Sequence, residues 1–329
     1  MSKNRILTFA AVFILMIVVA FSLAACEGGT NEKEIQLSEV SLRLVVGEEK
    51  EVKSLGADCE LYVTDQGIAS VDGGGKVKAL KSGKCELRAK AGDKMKSVLI
   101  EVYDAITSKS IKDDDPLFGK AKFFTIAEAI ENVQEGGNVF VETGRYGEAL
   151  TVDKSLSLSA DNNVVVNSLR LKSDKRLNVT GISFYNKTYP DAGDATLYVE
   201  SGAALSVIDS EFFIDRKNDT KDERIGGYCI YVDKNSSFVQ IRRCNISNYY
   251  YGVFIEGTDG SLNVQENNLT NVTKGIGVNI EKKDTTLPEN YNATGEISYN
   301  DYNSVEVETE FLFAGAKYEG ELDFADYKS

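Results

Sequence analysis

Apolar and polar residues alternate with a period of two over most of the chain, the pattern of strands with one buried face. Short alternating runs come first, at 42-LRLVV-46, 61-LYV-63, 76-KVKAL-80, 85-CELRA-89 and 97-SVLIEVY-103. Glycine-bearing turns separate them: Gly47, Gly67, 73-GGG-75, 82-SG-83 and 92-GD-93. Strands this short and this regular predict a small β-sandwich over residues 35–104. The polar run 105-AITSKSIKDDDP-116 predicts a linker, 105–117. One stretch then breaks the period. Ile126, Ala129, Ile130 and Val133 form a helical stripe. Thr125 followed by Glu128 reads as a capping box, and Gly136-Gly137 ends the helix.

Beyond the helix a repeat governs the pattern. An apolar–four–apolar frame recurs at 179-VTGISF-184, 207-VIDSEF-212, 241-IRRCNI-246, 264-VQENNL-269 and 297-ISYNDY-302, spaced 23 to 34 residues apart. The first four frames are each followed by a second apolar strand: 197-LYVE-200, 230-IYVD-233, 253-VFIE-256 and 278-VNIE-281. Such a period predicts a solenoid over 118–329, with about three short strands per coil. Alternation along the second strands places Leu197/Val199, Ile230/Val232, Val253/Ile255 and Val278/Ile280 inside. It places Tyr198, Tyr231, Phe254 and Asn279 outside, with Glu200, Asp233, Glu256 and Glu281 beside them. Within 248-NYYYGVFIEG-257, Tyr249 and Tyr250 are expected at a corner between strands.

Two family resemblances sharpen this reading. The texts 44-LVVGEEKEV-52, 68-IASVDGGGKVKALKSGKCELRAKAG-92 and 98-VLIEV-102 resemble the bacterial immunoglobulin-like domain, group 2, though 53-KSLGADCELYVTD-65 is shorter than usual there and Tyr62 stands where many members carry tryptophan. The resemblance implies a spacer or adhesion module. The opening 125-TIAEAIENVQEGGNVFVETGRYGEALTVDKSLSLSA-160 is similar to the capping helix and first coil of the right-handed parallel β-helix of the pectate-lyase-like superfamily. It implies an all-β chain: an Ig-like sandwich, then a short right-handed β-helix with an N-terminal capping helix. It also implies that the fourth frame position, held by Ser210, Cys244, Asn267 and Asn300, turns inward at a corner.

Composition adds the compartment. Lys3 and Arg5 precede an apolar run from Ile6 to Ala20 and then 22-SLAAC-26, the layout of an export signal over 1–25, with an uncleaved membrane anchor as the alternative. The last four of those residues resemble the bacterial lipobox, which makes Cys26 the expected lipidation site, 26–34 a tether, and the outer face of the bacterial cytoplasmic membrane the expected location. With 51 acidic against 37 basic residues the chain carries −14 overall, which argues against nucleic acid as a partner. Cys59, Cys85, Cys229 and Cys244 have no zinc-ligand spacing, and there is no histidine to complete such a site. Cys59 and Cys85, both on inward strand faces, are candidates for a disulfide or for buried thiols. Cys229 and Cys244 are a weaker candidate pair.

The candidate chemistry is sparse. The superfamily includes lyases, esterases and non-enzymatic surface proteins. No esterase motif occurs; Asp209 and Asp215 are the nearest carboxylate pair, and they read better as turn residues. Arg216, Arg224, Arg242 and Arg243 could serve a lyase, but no signature selects one. The outward columns admit two readings. They are either a ladder that stabilises the sheet, or a strip in which Tyr198, Tyr231 and Phe254 stack on sugars while Glu200, Asp233, Glu256 and Glu281 take hydroxyls or calcium. The expectation is a lipid-anchored, non-catalytic adhesion or binding protein for an extracellular polysaccharide or cell-surface glycan. The alternatives are a polysaccharide lyase or hydrolase of the β-helix superfamily, or a structural envelope component.

Overall fold

In a computed structural model of the chain, residues 34–186, 195–215, 227–257, 261–280, 295–313 and 316–317 are described. The lipidation expectation at Cys26, and Glu281 of the acidic column, lie outside these residues, as do Arg216 and Arg224.

The first alternating runs build two facing sheets. One orders strands Ser41–Val45, Lys94–Tyr103, Gly83–Ala91 and Glu60–Val63; the other orders Glu49–Glu51, Lys76–Ala79 and Ala69–Val71. Their inward residues, including Leu42, Leu44, Val77, Ala79, Leu87, Val98 and Ile100, close into one apolar core. All four described cysteines are free thiols, and the sheet register gives the reason for the first pair. Glu60 lies opposite Lys90 and Val63 opposite Leu87. Cys59 therefore sits near the far end of the strand that begins close to Cys85. Six residues of strand separate them, roughly 20 Å, far beyond the roughly 7 Å a disulfide spans.

The segment expected to be a linker is not one throughout. Ala105–Thr107 is a buried strand, parallel to Gly137–Val141. Polar composition concealed this, because Thr107 and Ser108 are themselves buried.

From Gly137 onward the chain winds into a parallel β-helix. One sheet stacks Ala149–Val152, Ser168–Leu171, Ala195–Val199, Tyr228–Val232, Tyr251–Glu256, Lys274–Ile280 and Val307–Phe313 in parallel, then adds the antiparallel Ala316–Lys317. The other two faces run through Arg176–Asn186, Ala204–Ile208, Phe238–Arg242, Ser261–Gln265 and Gly295–Ser298, and through Glu211–Ile214, Asn245–Ser247, Asn268–Thr270 and Asp301–Asn303. The long strands Leu156–Val166 and Arg176–Asn186 pass round the corner and join these two faces into one sheet. The inward strand positions from Leu150 and Val152 to Ile276 and Val278 form one sealed, largely apolar core. The helix Ile126–Asn132 carries the expected capping box and packs Ile126, Ala129 and Ile130 into the same core.

Corners are built by one rule. The third frame position takes positive φ in Gly181, Asp209, Arg243, Glu266 and Tyr299, a conformation costly for most side chains. The next residue turns inward and binds the coil before it. Asn267 Oδ1 accepts from the Cys244 N–H (2.9 Å), and its amide nitrogen donates to the Ile241 carbonyl (2.9 Å). Asn300 repeats this one coil later, on the Asn267 N–H (3.0 Å) and the Val264 carbonyl (2.8 Å). Ser210 accepts weakly from the Ile182 N–H (3.4 Å), and the Cys244 thiol donates to the Val207 carbonyl (3.7 Å).

Candidate functional site

The outward face of the eight-stranded sheet holds most of the sequence-nominated residues. Tyr198, Tyr231 and Phe254 stand in register in consecutive coils. The fourth member does not follow. Phe254 faces Gly277, and Asn279 faces Glu256 instead. The inward pair of that strand is correspondingly Ile276 and Val278. Matching apolar text chose 278-VNIE-281, whereas packing chose the register two residues earlier. A Cβ at Gly277 would stand 2.7 Å from the Phe254 ring, so glycine is what leaves room for that ring.

The aromatic column is stacked on itself. Tyr198 and Tyr231 centroids are 5.1 Å apart at 22°, and Tyr231 and Phe254 are 5.9 Å apart at 18°. The Arg170 guanidinium lies 4.2 Å from the Tyr198 centroid and closes the upper end. Tyr228 and Tyr251 form a second stacked pair beside the first, 5.2 Å apart, and both touch Phe254. Phe254 is only 5% exposed. It is thus a packed residue and cannot offer a face to a sugar. Tyr198, Tyr228 and Tyr231 remain half-buried, presenting ring edges where their faces are occupied. Burial, then the nearby Glu256 carboxylate, pushes the Tyr231 phenol well above its ordinary range, so it stays protonated and able to donate.

The acids beside the column are mostly engaged. Glu200 accepts from Lys172 Nζ (2.8 Å), Arg170 (3.4 Å) and the Ser173 N–H (3.2 Å). The Lys172 contact leads in lowering its pKa. Asp233 accepts from the Lys234 N–H (2.8 Å), and Glu256 accepts from the Asn279 amide (2.7 Å). Among the described residues no group of three or more acids, cysteines or histidines is disposed to hold a metal.

Two further clusters stand out, the first not legible in the sequence and the second built on the candidates Asp209, Arg242 and Arg243. Glu310, 5% exposed, accepts from the Tyr251 hydroxyl and from Lys274 Nζ (2.9 Å), and Lys274 also donates to the Tyr251 oxygen (2.9 Å). The three groups satisfy one another. Burial first, then Glu310, raises the Tyr251 phenol further, which keeps it from acting as a base near neutral pH. On the positive-φ corner, Asp209 is held bidentately by Arg243 (2.7 and 3.0 Å), and Glu266 by Arg242 (3.0 and 2.6 Å). Arg243 lowers the Asp209 pKa, the reverse of what a catalytic acid needs.

Tyr249 lies at the expected corner, between the strands Asn245–Ser247 and Tyr251–Glu256, but it is turned inward. It is fully buried inside the coil, with its hydroxyl 3.0 Å from Thr196 Oγ1. Cys229 and Cys244 are also interior; burial raises the Cys229 thiol, and pushes the Cys244 thiol up to about 12.

No known protein family and no curated relative matches the chain by sequence. Among solved structures, the pectin methylesterase from Aspergillus niger in deglycosylated form is similar to it at 14% identity, covering 67% of this chain and 90% of that one, with a TM-score of 0.29. Likeness at that level decides nothing about activity. The β-helix rests on the parallel strand register of this chain itself.

Proposed function

We propose that the protein is a non-catalytic binding or adhesion protein for extracellular carbohydrate, held at the outer face of a bacterial cytoplasmic membrane by a lipid on Cys26. In this reading the sandwich is a group 2 bacterial Ig-like domain, and the solenoid is a right-handed β-helix related to the pectate-lyase-like superfamily. The observation that carries it is the outward face of the eight-stranded sheet: half-buried tyrosines step from coil to coil beside Asp233, Glu256 and Asn279. Because ring faces are used up within the ladder, recognition falls to phenol hydroxyls, carboxylates and amides. These are groups that pair with sugar hydroxyls. Their coil spacing of about 4.8 Å suits an extended chain.

A glycan array with the wild type and two variants tests this. Tyr231→Phe keeps the ladder and removes one hydroxyl; Asp233→Asn keeps size and removes charge. Each is expected to weaken binding by about three- to tenfold, the range of one lost hydrogen bond. Unchanged binding in both would remove this face from the account. Turnover of pectic polysaccharide by the wild type would replace the reading with an enzymatic one. Silence across the array would leave a structural envelope role.

A further inference from the structure

The joint between sandwich and β-helix is packed like a core. We infer that the two form one rigid, cooperatively folding unit, pinned across their boundary by Arg43. Only Asp104 separates the sandwich strand Lys94–Tyr103 from the first solenoid strand Ala105–Thr107. Asp104 is itself fixed from the solenoid side: its N–H donates to the Asn138 carbonyl (2.9 Å), and its carboxylate accepts from the Asn138 N–H (2.8 Å).

Phe140 is the second observation. Its neighbours Val139 and Val141 point into the solenoid core, so Phe140 points out, yet it is 4% exposed. Part of what covers it belongs to the sandwich. The Tyr103 ring lies 4.9 Å away, and the Arg43 guanidinium lies 3.6 Å from the ring centroid. Val45, Tyr103, Ile106 and Phe140 make a separate apolar cluster at the boundary. The same guanidinium reaches past Phe140 to the Asp161 carboxylate, at 3.1 and 3.2 Å. Arg43 thus stacks on one solenoid strand and pairs bidentately with the next, a geometry that lysine could not reproduce. On another side Lys122 donates to Glu48 of the sandwich (2.7 Å) and to Asp115 (3.1 Å). Burial pulls the Lys122 pKa down, but the two carboxylates outweigh it and hold it raised, so the ammonium stays charged at neutral pH.

A flexible spacer would leave Phe140 wet and Asp161 unpaired. Here, losing the sandwich contact exposes the first coil, so the two parts should unfold together. Calorimetry and amide exchange on the full mature chain test this. The wild type is expected to melt in one transition with matching calorimetric and van't Hoff enthalpies. Arg43→Ala is expected to split that transition and to speed exchange at Ala105–Thr107 by about tenfold relative to the central coils. Asp161→Asn, a milder change that keeps side-chain size, should shift exchange in the same direction and serves if Arg43→Ala does not fold. Two separate transitions in the wild type would overturn the inference. So would unchanged exchange at Ala105–Thr107 in the folded variants.

Discussion

Asn267 concentrates what a single residue contributes. Buried to 2% exposure, it satisfies a backbone N–H and a backbone carbonyl of the preceding coil. Truncation leaves the Cys244 N–H without the acceptor that Asn267 supplies and removes a donor from the Ile241 carbonyl, and a buried group left unsatisfied costs about 1–3 kcal/mol. Asn267→Ala is therefore expected to destabilise the fold by about 2–4 kcal/mol, read from the midpoint of urea unfolding at constant m-value. An exposed amide such as Asn268, which lies outward one residue along, should change stability by less than about 0.5 kcal/mol on the same substitution. The fourth frame position holds Asn267, while Asn268 is the next residue along. Their unequal weight follows from which one the positive-φ corner turns inward. Asp209 and Arg243 show the opposite case: they share that corner column, point outward, and their pairing half in solvent adds little.

At the level of the strand, register decides which pattern matters. The strand Lys274–Ile280 offers two apolar pairs, and the alternation of side chains accepts either. The choice is made by volume. Phe254 needs a neighbour without a side chain, and Gly277 supplies it. Gly277→Val would place Cβ 2.7 Å from the ring, and is expected to cost about 1–3 kcal/mol through overpacking. The same substitution in a Phe254→Ala background should lose most of that cost. A double-mutant cycle of thermal unfolding reads the coupling directly, and additivity of the two changes would refute the contact. The tyrosine ladder belongs to this scale too. Its faces stack on each other, so it stabilises the sheet by about 0.2–1 kcal/mol per pair and leaves edges to solvent.

For the whole molecule, the proposed lipid anchor and the proposed rigid joint would together set how the proposed binding face is presented. Cys26→Ala in the precursor is expected to abolish incorporation of labelled fatty acid into the protein; label retained by the variant would contradict lipidation at that cysteine. The strand periods, the coil repeat and the helix with its Thr125 cap were determined by sequence alone, and the resemblance to a β-helix implied the inward corner asparagines. These depend on local alternation and on contacts one coil away, and both recur at fixed spacing in the text. Tertiary structure alone decided the rest. It placed Cys59 and Cys85 at opposite ends of a strand pair, buried Tyr249 at its corner, and turned Phe254 from a surface candidate into a packed residue. It set Gly277 opposite Phe254, and made a strand of part of the supposed linker. The reason is common to all of these: each depends on distance and volume between segments whose separation in the chain carries no periodic signal, so only the folded packing assigns them a neighbour.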